Sequence, residues 1–91
     1  MALIIPPSIK AKLDVKHKVK PNEVVECFAN FHGELMQDTR PGHETDPVTQ
    51  WFIGETDYGR ILKVCFVLKD GDVYLKTAYE PNSNEIDYFN K

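Results

Sequence analysis

From Gln50 to Glu80 apolar and polar residues alternate with a period of two, and two turn signals divide the stretch into three strands. "QWFIGET" runs to Tyr58-Gly59, "RILKVCFVLK" runs to Asp70-Gly71, and "VYLKTAYE" closes an antiparallel meander. Asp-Gly is a strong type I′ hairpin signal. Two-residue loops at both turns fix the register. Ile53 then faces Val64, Phe52 faces Cys65, Phe66 faces Leu75, Val64 faces Thr77 and Cys65 faces Lys76. The expected core face carries Trp51, Ile53, Leu62, Val64, Phe66, Leu68, Val73, Leu75 and Tyr79. The opposite face carries Phe52, Thr56, Ile61, Lys63, Cys65, Val67, Tyr74, Lys76, Ala78 and Glu80.

The N-terminal half follows a helical period instead. Ser8 is placed to cap a helix with Ile9 and Leu13 on one face and Lys10, Lys12 and Lys16 on the other. That helix should stop near Lys18, because Pro21 follows and suits the first turn of the next. "PNEVVECFANF" sets Val24, Phe28 and Phe31 at i, i+4 and i+7, and His32-Gly33 ends it. "ELMQD" reads as a short strand and "TRPGHETDPVT" as the longest loop. In "PNSNEIDYFNK", Asn82 and Glu85 have the spacing of a capping box before a terminal helix. The pattern predicts an α+β domain over residues 1–91: two N-terminal helices packed on an antiparallel β-meander of three to four strands, with a short C-terminal helix.

Composition narrows the function classes. At 91 residues the chain is long enough for one two-layer core, and 42% apolar content argues against disorder. A net charge of −3 argues against a generic nucleic-acid binder but leaves room for a local basic patch. The two cysteines, Cys27 in a helix and Cys65 in mid-strand, read as buried free thiols rather than a disulfide. The apolar run "ALII" is too short for a membrane span or a signal-peptide core, so a soluble protein of a reducing cytoplasm, with no membrane partner, is expected. No Gly-rich phosphate loop, nucleophile elbow or zinc-type spacing is present, and no cofactor or metal is expected.

Lys63 and Lys76 are the first chemical candidates. In the register above they are diagonal neighbours, about 7–8 Å apart at the backbone. Two readings compete. Lysines can punctuate a wet sheet face with their stems covering apolar neighbours. They can also form, with Tyr74, a site for a phosphate backbone or an acidic partner. His17 follows Lys16 at the end of the first helix, where a cation is favoured by the helix dipole. His43, Glu44 and Asp46 share the long loop without the spacing of a specific metal site. Tyr74, Glu80, Glu85 and Tyr88 are acid–base candidates near the open face.

Taken together, "KHKVKPNEVVECF", "WFIGETDYGRILKVCF" and "VYLKTAYEPNSNEIDYF" resemble the BrnT-like toxins of the RelE superfamily. The likeness is strongest at Lys16-His17, Val19, Glu23, Phe28, Gly59-Arg60, Leu62, Val64 and Phe66. The family pattern has glycine where this chain has Lys18, and arginines where it has Tyr74 and Tyr79. The resemblance implies a RelE/BrnT-like α+β toxin that cleaves RNA without a metal and is neutralised by an antitoxin protein. Carried onto this sequence, it implies catalytic roles for Lys16, His17 and Arg60, with Lys63, Lys76 and Tyr74 as RNA- or anion-binding residues added from the register. The chain is also similar to short bacterial proteins often named ADP-ribosyl-(dinitrogen reductase) hydrolase, through His43 to Pro47, Trp51 to Arg60 and Lys76 to Asn82. That name implies removal of ADP-ribose from a protein arginine. A non-catalytic module capturing a partner peptide on the mixed sheet face is the contrasting reading. Oligomeric state is left open.

Overall fold

The apolar alternation after Gln50 builds the centre of a five-stranded sheet. The computed structural model of the chain describes residues 2–42 and 44–91, so His43 lies outside the described residues. In chain order the elements are β1 (Leu3–Ile4), α1 (Pro7–Lys12) running into a π-helical turn (Leu13–His17), and α2 (Pro21–Asn30). There follow β2 (Met36–Gln37), β3 (Gln50–Glu55), β4 (Ile61–Lys69), β5 (Asp72–Tyr79) and α3 (Ser83–Phe89). The strand order is β1-β5-β4-β3-β2. Four strands are antiparallel as expected. The fifth, β1, is the unforeseen one: it pairs parallel to β5, Leu3 opposite Val73 and Ile4 opposite Tyr74. Its start is pinned by the Ala2 amide donating to Asp72 Oδ1 at 2.9 Å. The result is an α+β fold with a mixed sheet and three helices. No helix among the described residues is long and apolar enough to cross a membrane.

The first helix begins two residues earlier than a cap at Ser8 would place it. Pro6 holds the cap position and Pro7 the first helical position, where a missing N–H is harmless and φ is already set. The helix ends at Lys18 as expected, and the way it ends matters. Lys18 adopts φ 55, ψ 42, the left-handed region, while the amides of Lys18 and Val19 both return to the Leu13 carbonyl. A Cβ in that region is disfavoured. Lys18→Gly is therefore expected to raise stability by about 0.5–1 kcal/mol, read as a higher denaturant midpoint with unchanged slope.

Two departures from the expected register decide what each face of the sheet presents. The first hairpin has a three-residue loop, Asp57-Tyr58-Gly59, closed by the Thr56 amide donating to the Arg60 carbonyl at 2.9 Å. A two-residue loop at Tyr58-Gly59 would need positive φ at Tyr58, and only Gly59 takes it, at φ 85. One residue of slip turns all of β3 over. Phe52, expected on the open face, faces Val64 and is fully buried under α2, while Trp51 and Ile53 move to the other face beside Cys65 and Lys63.

The second hairpin turns at Asp70-Gly71, both at positive φ, as the sequence signalled. Its register then shifts at Cys65/Phe66, because Phe66 faces Leu75 whereas Cys65 faces Thr77, so Lys76 is the extra residue of a bulge. Beyond it Ala78 takes the core position and Tyr79 turns to the Lys63 face, the reverse of the expectation for both.

The core is one cluster of Leu13, Val19, Val24, Cys27, Phe52, Leu62, Val64, Phe66, Val73, Leu75 and Ala78. Its aromatic centre is Phe52, met by Phe28 at 4.9 Å and Phe31 at 4.4 Å between ring centroids. α2 comes down closest over Gly54, where a Cβ would stand 2.8 Å from the Phe52 ring and 3.2 Å from Cys27. α3 covers the opposite face, with Phe89 in ring contact with both Trp51 and Phe31.

Candidate functional site

Three features gather around β5 and the ends of the helices. The first is a lysine-rich surface. Lys10, Lys12, Lys16, Lys18 and Lys20 are all exposed, while Ile9, Leu13 and Val19 turn to the core. None of the five forms an ion pair among the described residues. Five lysines against Asp14 give residues 10–20 a charge of +4 within a chain of −3, so the remaining residues carry −7. The chain is weakly acidic in total and strongly polarised in space.

His17 lies in this surface, half-buried, with its ring 5.5 Å from that of Tyr79. Partial burial, and then the fields of Lys16 and Lys12, push its pKa below the usual imidazole value. At neutral pH the ring is uncharged and able to accept a proton.

Arg60 is the second feature. Its Nη1 donates to both Glu23 carboxylate oxygens at 3.1 Å and to the Lys18 carbonyl at 2.8 Å. Nη2 donates to the His17 carbonyl at 3.2 Å and Nε to Glu80 at 3.2 Å. One guanidinium thus ties the start of β4 to the end of the π-helical turn, the first turn of α2 and the residue after β5. Glu23 also accepts from the Lys20 amide at 3.0 Å. Burial alone would raise the Glu23 pKa, but that amide and Arg60 outweigh it and hold the carboxyl below its ordinary value. Burial likewise works against the Arg60 charge, and Glu23 and Glu80 more than restore it.

The third feature is a cleft of about 460 Å³ between α3, β3 and the segment after β2. Lys63 and Glu85 join at its floor, Nζ donating to Oε2 at 2.7 Å, and the Tyr79 hydroxyl donates to the same oxygen at 2.8 Å. The ammonium also stands 4.5 Å from the centroid of the Trp51 ring. Burial would lower the Lys63 pKa, yet the Glu85 hydrogen bond and nearby acidic groups raise it overall. For Glu85 burial works upward, and Lys63, Tyr79 and the Asn82 amide together bring the pKa down. Burial and the bond to Glu85 raise the Tyr79 phenol, so it keeps its proton. Cys65, on the same face, is pushed up to about 11 by burial and is an inert thiol at neutral pH.

The sequence candidates are therefore divided among these places. Lys16, His17 and Arg60 come together, His17 and Arg60 by direct contact through the His17 carbonyl. Lys63 and Lys76 do not share a patch: Lys63 is in the cleft beneath α3, whereas Lys76 and Tyr74 line a second cavity with Lys69, Thr45 and Asp46. The bulge at Lys76 separates them. Of the acid–base candidates, Glu85 and Tyr88 belong to the cleft, Glu80 to Arg60, and Tyr74 to the second cavity. Arg40, held by Asp38 at the rim of the cleft, carried no sequence signal, because it lies in a loop without periodicity. Among the described residues no group of three or more His, Cys, Asp or Glu side chains is arranged to hold a metal ion.

No family model matches the chain, and no curated protein matches it.

Proposed function

We propose that this protein is a toxin-type protein, similar to the BrnT members of the RelE superfamily, that binds RNA on the α1 surface and cleaves it beside His17. The observation that carries the reading is the run of five unpaired, exposed lysines around a neutral histidine on a chain otherwise net negative. Two further points support it. The α+β fold is of the class that the resemblance implies. Lys18, where the family pattern has glycine, holds the left-handed conformation that glycine favours.

In this reading the lysines hold the phosphate backbone. Neutral His17 takes the proton of a ribose 2′-hydroxyl as its oxygen attacks the adjacent phosphorus. Lys16 stabilises the extra charge on the phosphoryl oxygens, and the departing 5′-oxygen takes a proton from solvent. The product ends are a 2′,3′-cyclic phosphate and a 5′-hydroxyl, and no metal enters the step. Arg60 acts as a positioning residue, since four of its five N–H donors are engaged by Glu23, Glu80 and the carbonyls of His17 and Lys18. An antitoxin protein as partner belongs to the same proposal.

The test is expression in bacteria together with incubation of the purified protein with RNA in a chelator. Growth arrest and metal-independent cleavage are expected, with His17→Ala and Lys16→Ala each lowering the rate about 100-fold. The rate should rise with pH through a pKa below that of free histidine, because the base must be uncharged. Harmless expression with intact RNA would sink the ribonuclease and leave a non-catalytic partner-binding module. Release of ADP-ribose from a modified protein on adding magnesium or manganese would replace both.

A further inference from the structure

The cleft under α3 is electrically balanced. Lys63 is matched by Glu85 and Arg40 by Asp38, so it presents little net charge to a ligand. What it presents instead is aromatic surface and carboxamides. Tyr88 leans over Trp51 with ring centroids 6.0 Å apart, and half of the Tyr88 side remains exposed. The Gln37 and Asn84 side chains line the same space with no hydrogen-bond partner among the described residues, and Asn82 offers its amide NH₂ while its oxygen accepts from the Glu85 amide.

Arg40 adds a rigid planar group. Its Nε and Nη2 meet both Asp38 oxygens at 2.9 and 2.8 Å, a fork that fixes the guanidinium by its edge and leaves its flat faces unspent. A flat heterocycle with a donor and acceptor edge uses all of these at once. It can stack on tyrosine and guanidinium planes and pair its edge with a carboxamide. A cleft of about 460 Å³ is of ligand size.

We infer that the cleft between α3 and the segment after β2 is a nucleobase pocket, stacking the base on Tyr88 and Arg40 and reading its edge with Gln37, Asn82 and Asn84. The inference deepens the RNA reading above and rests on it for the source of the base. Tyr79 connects the two regions physically, with its ring beside His17 and its hydroxyl on Glu85 at the cleft floor. An RNA whose phosphates lie on the lysine surface thereby has a pocket for one unstacked base.

Trp51 is the sole tryptophan and forms the wall of the cleft, so its fluorescence reports occupancy directly. The full chain is titrated with AMP, with ribose 5-phosphate and with a short single-stranded RNA. AMP is expected to change the signal saturably and ribose 5-phosphate, which has the anion without the base, to leave it unchanged. Arg40→Ala and Asn84→Ala, both at exposed side chains, should weaken AMP at least tenfold with unchanged melting temperature. A response to RNA that these variants also weaken assigns the base to a polynucleotide, and a response to AMP alone assigns it to a free nucleotide. Equal responses to AMP and ribose 5-phosphate, no response to either nucleotide or RNA, or unaltered affinity in both variants overturns the pocket. RNA cleavage without a base-dependent signal would overturn the pocket and keep the ribonuclease. A base-dependent signal without cleavage would do the opposite.

Discussion

Arg60→Ala is expected to lower stability by about 3 kcal/mol and the melting temperature by roughly 10–20 °C. The guanidinium is a quarter exposed and its partner Glu23 is 19% exposed, so their bond is screened far less than a surface pair. Removing it strands a carboxylate that already works against desolvation and frees the carbonyls of His17 and Lys18 from charge-assisted donors. Lysine should not restore the loss, since a single ammonium cannot reach Glu23, Glu80 and two carbonyls in the geometry of a planar fork. Glu80→Ala separates the two halves of the clasp. Glu80 is two-thirds exposed, and its loss should shift stability by no more than about 0.5 kcal/mol. Thermal melts of the three variants decide the matter: an Arg60→Ala protein melting within a few degrees of the parent would show that the clasp is ornamental. Activity adds a second readout. If Arg60 only positions His17, cleavage in Arg60→Ala should retain the His17-dependent pH profile at reduced rate.

The same residues show why some of the fold was readable and some was not. The Asp70-Gly71 turn was legible because aspartate and glycine both tolerate positive φ, and both adopt it. Tyr58-Gly59 looked similar on paper, but a tyrosine resists positive φ, so the loop took in Asp57 and turned β3 over. The Thr56 hydroxyl accepting from the Arg60 amide at 3.0 Å reinforces that longer loop. The deciding signal is the side-chain type at Tyr58, not the glycine that follows it.

The bulge at Lys76 had no comparable signal. It is settled by tertiary packing, which puts small Ala78 against the core and polar-tipped Tyr79 where its hydroxyl reaches Glu85. That one shift created the candidate site. Without it Tyr79 would be a core residue, and His17 and Glu85 would have no side chain in common. The Asn82–Glu85 cap, by contrast, was legible and is realised in both directions, with the Glu85 amide donating to Asn82 at 2.9 Å and the Asn82 amide donating to Glu85 at 3.1 Å. What the cap spacing could not disclose is that the other oxygen of Glu85 takes Lys63.

That second role of Glu85 has a measurable pH signature. Lys63 is 11% exposed at its side chain and Glu85 21%, so Glu85→Gln leaves a largely buried ammonium facing a neutral amide. Glutamine keeps one acceptor oxygen where Glu85 uses two, Oε1 for the Asn82 amide and Oε2 for Lys63 and Tyr79, so the change removes the charge and one of the two acceptors. A loss of about 2–3 kcal/mol at pH 7 is expected, at or below the low end of the range for deleting a buried partner outright because one acceptor survives. The sign follows from the depressed pKa of Glu85. A carboxyl lowered in the folded state contributes stability that is complete above its unfolded pKa and disappears as pH falls through the folded value. The parent should thus exceed Glu85→Gln by the full margin from pH 6 to 8. The margin should narrow below about pH 4.5 and close once the folded carboxyl is protonated. At the alkaline end Lys63 and Tyr79, both raised in the folded state, lose their contribution as pH climbs through their folded values. Urea titrations of both proteins at pH 3, 7 and 10 measure the window. A margin that stays constant from pH 7 to pH 3 would mean that the ionised Glu85 does not hold α3 to the sheet, and the floor of the cleft would need another explanation.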